Sequence, residues 1–251
     1  MELDVSGKRT LITGASSGLG AQFARTLARS GARVALAARR TDKLAALADE
    51  IGAAGGQVIC IPLDVADPQS ISQCIAAVQQ EWGGLDVVVN NAGITDIKPA
   101  IAYEAADFDS ILDVNLRGAF LVAQQAALVM RENGGSIINI ASILATRQAM
   151  HVSAYAISKA GVVQMTKVLA LEWARYKIRV NAIAPGYVET AMNEGFWDTQ
   201  AGKAMMQRIP QRRVGQPQEL DAPLLLLACD ASSYMTGSVI VVDGGHSIAS
   251  I

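Results

Sequence analysis

The chain has 251 residues, 51% of them hydrophobic, with 21 Lys+Arg against 23 Asp+Glu and a formal net charge of −2. That balance leaves no broad positive surface for a phosphodiester backbone, which excludes nucleic acid as a main partner, and the length is ample for a full hydrophobic core. The acidic opening Met1-Glu2-Leu3-Asp4-Val5 and the charges that interrupt the longer apolar stretches predict neither a secretory signal nor a membrane span. Cys60, Cys74 and Cys229 are odd in number and widely spaced, with only two histidines beside them. They read as reduced thiols in a cytoplasmic protein with no metal site.

Seven short β-branched or apolar runs alternate with longer helix-period segments. In chain order the pattern predicts a strand over 9–13, a helix over 18–30, a strand over 33–38 and a helix over 41–54. A strand over 57–62, a helix over 68–82, a strand over 86–90 and a long helix over 104–132 follow. The last elements are a strand over 136–141, a helix over 153–176, a strand over 179–184, a helix over 217–229 and a strand over 239–242. Several runs are apolar throughout, as strands covered on both faces require. Asp67-Pro68 supplies a cap followed by proline at the first helical position, while Gly31 and Gly134 can end the helices before them. The Gly-Gly pairs read as turns, because the alternation continues across each. The whole is a single α/β domain: a doubly wound parallel seven-stranded sheet with helices on both faces. Residues 189–213 break the alternation and read either as a helical excursion with a small core of its own or as a lid over a substrate, their position beyond the sixth strand favouring the lid.

The first strand runs into Thr13-Gly14-Ala15-Ser16-Ser17-Gly18-Leu19-Gly20 and then a helix. Three glycines there permit a tight turn and close backbone approach to a pyrophosphate, and the helix N-terminus offers free N–H groups to the anion. The second strand ends at Ala38, followed by Arg39 and Arg40, where a ribose-binding carboxylate would otherwise stand. Arg39 offers a planar fork to a phosphate, which favours NADP(H) over NAD. Asp64 can accept from an adenine amino group or orient the helix that begins at Pro68.

Tyr155 and Lys159 are one helical turn apart on one face. A positive neighbour stabilises phenolate, and bringing a phenol from about 10 to near neutrality takes roughly 4 kcal/mol of such interaction. Ser142 stands at the end of a buried strand, where its hydroxyl would donate to a substrate carbonyl oxygen. Asn115, in the polar run Asp113-Val114-Asn115-Leu116-Arg117-Gly118 of an apolar helix, is either exposed and idle or bonded to a buried neighbour or water.

These residues together resemble the short-chain dehydrogenase/reductase family over the whole chain. The matching motifs are Thr13-Gly14-x-x-x-Gly18-x-Gly20, Asn90-Asn91-Ala92-Gly93, Asn115, Ser142, Tyr155-x-x-x-Lys159 and Pro185-Gly186, with bacterial 3-oxoacyl-thioester reductases and carbonyl reductases the most similar members. The resemblance implies a Rossmann-type fold and a catalytic set in which Tyr155 gives the proton and Ser142 holds the substrate oxygen. It makes Lys159 grip the nicotinamide ribose and lower the Tyr155 pKa, and makes Asn115 hold a relay water. Ser16, Ser17, Gly18 and Leu19 would cradle the pyrophosphate, with Arg39 and Arg40 at the adenosine end. Asp64 and Val65 would border the adenine, Asn91, Ala92 and Gly93 would line the cofactor, and Pro185, Gly186, Val188 and Thr190 would border the nicotinamide side. Some NADP-dependent members carry a basic residue just before the second glycine, where this chain has Ser17. Members commonly form homotetramers through the long helices and the last strand.

The implied reaction is reversible: reduction of a small-molecule ketone to the alcohol by NADPH. Ile94, Leu144, His151 and Tyr187, with Met192, Phe196, Trp197, Met205 and Met206 from the lid, are the candidate substrate walls, and their apolar character suits a hydrophobic ketone or 3-oxo ester. A carrier-protein-linked thioester is the alternative, helped by basic residues such as Arg131, Arg175, Lys177 and Arg179. An epimerase or dehydratase would need a larger C-terminal domain. A non-catalytic NADP(H) sensor or a purely structural tetramer would not need Asn115, Ser142, Tyr155 and Lys159.

Overall fold

The computed structural model describes residues 3–190, 193 and 195–249. Its elements run β1 (Arg9–Thr13), α1 (Gly18–Arg29), β2 (Arg33–Ala38), α2 (Thr41–Ala53), β3 (Gln57–Pro62), α3 (Pro68–Trp82) and β4 (Val87–Asn90). They continue α4 (Ala105–Leu112), α5 (Ala119–Met130), β5 (Gly135–Ile140), α6 (Ser153–Trp173), β6 (Ile178–Pro185), α7 (Gln200–Met206), α8 (Asp221–Ala228) and β7 (Val239–Val242). All seven strands fall where the apolar runs predict them. They form one sheet in the order β3-β2-β1-β4-β5-β6-β7, with every pairing parallel.

Side chains alternate across each strand, so the sheet feeds two cores. Leu11, Val88, Ile137 and Val180 meet α3, α5 and α6 on one face. Ile12, Val89, Ile138 and Ile183 meet Phe23 and Leu27 of α1, Leu44 of α2 and Leu224 of α8 on the other. The strand order reverses between β1 and β4, and it is there, past the carboxyl ends of the strands, that such sheets open a crevice.

The predicted helix over 104–132 is broken. Residues Asp113–Gly118 form a π-turn between α4 and α5, and Gly118 lies so close to the Val65 carbonyl that an added Cβ would sit 2.5 Å from its oxygen. Periodicity across the run does not report this insertion, because each flank keeps its own helical phase. The predicted helix over 153–176 stops at Trp173 and finishes as a tighter turn, and Pro217–Leu220 is likewise a short tight turn ahead of α8.

Residues 189–213 form an excursion whose two ends are pinned together: Glu189 N donates to Gly215 O and Gly215 N donates to Tyr187 O, both at 2.9 Å. It contains α7, capped by Thr199, whose hydroxyl accepts from Gly202 N at 3.1 Å. Met192 lies outside the described residues.

Candidate active site

The β1–α1 turn is built by close packing rather than by glycine content alone. An ideal Cβ on Gly20 would sit 2.3 Å from Gly14 O and 2.5 Å from Asn91 Nδ2, so the N-terminus of α1 rests directly on the turn. Gly14 and Gly18 adopt φ of +67° and +55°, conformations that side chains resist. Asn91 ties the turn to the end of β4: its Nδ2 donates to Thr13 O at 3.0 Å and Gly14 O at 3.2 Å. Thr13 Oγ1 in turn accepts from the backbone N–H groups of Asn91 and Ala92, each at 3.0 Å. Ser17 precedes α1 without capping it through its side chain, leaving that helix end open to an anion.

From this turn a cleft of about 630 Å³ runs across the carboxyl ends of the strands. Its adenosine-side wall holds Ser16, Ser17, Gly18, Leu19, Arg39, Arg40, Asp64 and Val65. Its far wall holds Ala92, Gly93, Ile94, Ser142, Leu144, Tyr155 and Lys159, together with Pro185, Gly186, Tyr187, Val188 and Thr190.

Both arginines after β2 are exposed, but they differ in their partners. Arg40 reaches back to donate to Ser17 Oγ at 2.6 Å and Ser16 Oγ at 2.9 Å, bringing a guanidinium to the position before the second glycine that this sequence fills with serine. Arg39 makes no side-chain hydrogen bond among the described residues. Asp64 spends one carboxylate oxygen on Ala66 N at 3.0 Å, which shapes the turn ahead of α3.

At the chemical end, Ser142 Oγ accepts from Leu144 N at 3.1 Å, which leaves its proton to donate elsewhere. The neighbouring Ser142 hydroxyl favours the ionised form of Tyr155, an effect that opposes a larger one of burial. Burial pushes the phenol upward, so the lowering expected from Lys159 is not what this structure shows. The reason is geometric: Lys159 Nζ is 5.6 Å from the Tyr155 ring centroid and donates to Ile140 O at 2.7 Å. Buried, and without a carboxylate partner among the described residues, Lys159 is itself brought down to about 8 by the loss of solvent.

Asn115 is neither idle nor exposed. Within the π-turn its Oδ1 accepts from Ile94 N at 2.8 Å, and its Nδ2 donates to Ile94 O at 2.9 Å and Ser158 Oγ at 3.0 Å. Ser158 donates onward to Tyr155 O at 2.7 Å. Asn115 therefore holds the strand-end loop against the catalytic turn of α6.

Several predicted substrate residues lie elsewhere. His151 is an exposed turn residue at φ +68° whose backbone oxygen accepts from Lys98 N, and it does not line the cleft. Phe196, Trp197, Met205 and Met206 are not cleft walls either: Trp197 is buried edge-on behind Tyr187, with centroids 5.7 Å apart, and Phe196 packs on Trp197 at 5.0 Å. The excursion thus buttresses Tyr187 with its aromatics. The basic residues considered for a carrier partner sit at the opposite ends of the strands. Arg179 donates to Ser232 Oγ and to the Leu227 and Cys229 carbonyls, while Arg131 and Arg175 lie over the Tyr176 ring.

Thr95, Ile97, Val114, Val152 and Asn193 line the cleft without having been singled out from the sequence. Asn193 accepts from Thr190 N and donates to Val188 O, both at 2.8 Å, holding that wall in shape. An Asn three residues after a cleft-lining Thr is the signal that could have found it. Among the described residues there is no group of His, Cys, Asp and Glu arranged to hold a metal, and no helix long and apolar enough to cross a membrane.

A doubly wound sheet with a glycine turn at its switch point and a Ser-Tyr-Lys set at the same crevice defines a dinucleotide-using oxidoreductase. A family model described as Enoyl-(Acyl carrier protein) reductase matches residues 14–247. The chain is 40% identical over 245 residues to the D-threitol dehydrogenase of Mycolicibacterium smegmatis, covering 97% of this chain and 94% of that one. It is also 40% identical over 242 residues to the 3-oxoacyl-(acyl-carrier-protein) reductase of Thermotoga maritima, covering 96% and 98%. The crystal structure of a gluconate 5-dehydrogenase from Burkholderia cenocepacia in complex with NADP and tartrate matches with a TM-score of 0.94 at 36% identity, over 99% of this chain and 98% of that one. The chain belongs to the short-chain dehydrogenase/reductase family, oxidoreductases that act on CH–OH and C=O groups.

Proposed function

We propose that the protein is an NADP(H)-dependent carbonyl reductase that interconverts a ketone and its secondary alcohol. The observation that carries this reading is the convergence of Ser142, Tyr155 and Lys159 on the same cleft as the open α1 N-terminus and Arg39. The packing of Gly20 on Gly14 fits a pyrophosphate, since a Cβ on either would close the turn, and the Arg40 guanidinium beside Ser16 and Ser17, with Arg39 lining the same cleft, fits a ribose phosphate. The NADP held by the Burkholderia relative supports the same choice. When bound, the nicotinamide dinucleotide supplies or takes up the hydride.

The chain's own part is orientation and proton handling. Ser142, its Oγ already accepting from Leu144 N, donates to the substrate oxygen; Tyr155 donates its hydroxyl proton to that oxygen as negative charge develops there. Lys159 keeps two N–H groups beyond the one given to Ile140 O, and these would hold ribose hydroxyls of a bound dinucleotide. Asn115 keeps the loop carrying Gly93 and Ile94 against α6, close to Lys159 on the Gly93 side.

The walls formed by Ile94, Ile97, Leu144, Val152 and Tyr187 suit a ketone or 3-oxo ester with an apolar stretch. Reduction of a 3-oxoacyl thioester is the second reading, favoured by the Thermotoga relative. The reading includes a single domain with a substrate cover at 189–213 and a homotetramer acting in the cytoplasm. Exposed Phe120 and Leu128 of α5 and Val168 and Leu171 of α6 are apolar side chains that another copy would cover.

NADPH oxidation by the purified protein with matched acetoacetyl thioesters and bulky ketones tests the reading. Turnover by wild type, its loss in Tyr155→Phe, and unchanged NADPH binding by that variant are expected. Wild type that binds NADPH yet reduces none of the panel would overturn it.

A further inference from the structure

Tyr187 brings a second phenol to the cleft wall that carries Ser142 and Tyr155. The sheet puts it there. β5 and β6 are parallel neighbours with Ile140 facing Ile183, and Ala141 N donates to Ile183 O at 2.8 Å. Strands in such a pair lie about 4.8 Å apart, so Ser142 and Pro185 leave the sheet side by side and Tyr187 follows two residues later. Its backbone is fixed from both flanks: Gly186 N donates to Val242 O and Gly215 N donates to Tyr187 O, each at 2.9 Å.

The ring is held as well. Trp197 meets it edge-on, with 5.7 Å between centroids and 67° between planes, and His246 is tilted against it at 5.4 Å and 39°. Both neighbours are buried, so the phenol has few orientations open to it. Its hydroxyl makes no hydrogen bond among the described residues, and Tyr187 itself is only half-buried. Burial lifts the phenol above its ordinary value of 10, so it keeps its proton and can donate. A rigid donor at a cleft wall, with no protein acceptor, is placed for a ligand.

Counting lone pairs decides which part of a ligand it meets. A ketone oxygen has two, and the carbonyl reductase reading assigns one to Ser142 and the other to Tyr155. A further hydroxyl on the same wall has no place left on that oxygen. Because β5 and β6 are adjacent, the oxygen it does meet must lie close to the carbonyl along the substrate.

We propose that Tyr187 is a specificity-determining residue whose hydroxyl donates to a second oxygen of the substrate, carried within two carbons of the carbonyl. The enzyme then works on hydroxyketones and 3-oxo esters in preference to simple ketones. This rests on the carbonyl reductase reading and narrows it. The apolar walls Ile97 and Val152 remain for the rest of the molecule.

The test pairs an oxygenated ketone with an analogue of like shape that lacks the second oxygen: 2-hydroxyacetophenone with propiophenone, and methyl acetoacetate with 2-hexanone. NADPH oxidation gives kcat/KM for each in wild type and in Tyr187→Phe, which keeps the ring against Trp197 and His246 and removes the hydroxyl. The partners of a pair differ in carbonyl reactivity, so the quantity read is the change in their ratio between the two proteins. Tyr187→Phe should lower that ratio about tenfold, with propiophenone and 2-hexanone nearly unaffected. An unchanged ratio in both pairs, or an equal loss on all four ketones, would overturn the proposal. Calorimetric titration of the NADP-loaded protein with 2-hydroxyacetophenone and propiophenone reads the contact without turnover. Tighter binding of the hydroxyketone that Tyr187→Phe abolishes, with no turnover of any of the four, would sink the reductase reading and leave the contact standing. No turnover together with equal binding of the two would overturn both.

Discussion

Asn115 and Ile94 hold each other by two opposed hydrogen bonds, Ile94 N to Asn115 Oδ1 at 2.8 Å and Asn115 Nδ2 to Ile94 O at 2.9 Å. The arrangement copies one rung of a sheet with a side chain, and the π-turn is what points that side chain inward. Asn115→Leu strands both backbone groups of Ile94 and removes one of the two bonds of the Ser158 hydroxyl. A loss of about 3 kcal/mol in urea unfolding and a fall in turnover larger than the fall in cofactor affinity are expected.

Gly20→Ala should damage the cofactor end specifically. Its Cβ would press on Gly14 O at 2.3 Å, a backbone atom, so the turn itself must move. The expected cost is about 1–3 kcal/mol in stability, with NADPH affinity down at least tenfold in a fluorescence titration. Retained affinity would show that the turn is softer than its packing suggests.

Arg39 and Arg40 should separate in a cofactor comparison. Arg39→Ala removes a guanidinium with no other partner among the described residues and should weaken NADPH binding by tenfold or more while leaving NADH binding nearly constant. Arg40→Ala also releases Ser16 and Ser17, so both cofactors should weaken. Equal loss of both cofactors in Arg39→Ala would show that Arg39 does not read the ribose phosphate.

Lys159 makes stability depend on pH. Its ordinary value of 10.5 falls to about 8 in the folded protein, so between those values the unfolded chain holds a proton that the folded chain has released. Stability therefore rises with pH across that window. The penalty is complete below about 8 and gone above 10.5, and is on the order of 3 kcal/mol. Lys159→Met should flatten this part of the curve in denaturant titrations of the cofactor-free protein. A slope that persists in the variant would assign it to another group.

The strands, the two-faced core and the glycine turn were legible in the chain because each is written in local periodicity or in a residue's own conformational range. Tyr155 and Lys159 were legible for the same reason, since a four-residue spacing on a helix puts two side chains on one face. The π-turn was not, because a single extra residue leaves the hydrophobic phase on either side intact. Nor was the direction of the Tyr155 titration, which burial sets against a lysine that faces Ile140 O. The aromatic and Met-rich run at 189–213 announced a cover, but its aromatic residues turn behind Tyr187, and only the packing of the excursion on the C-terminal turn decides that. Local pattern determined which elements form and which faces they bury. The meeting of Arg147 with His246 O and of Gln211 with Gly244, between residues far apart in the chain, was decided by the topology that folds three loops onto one end of the sheet.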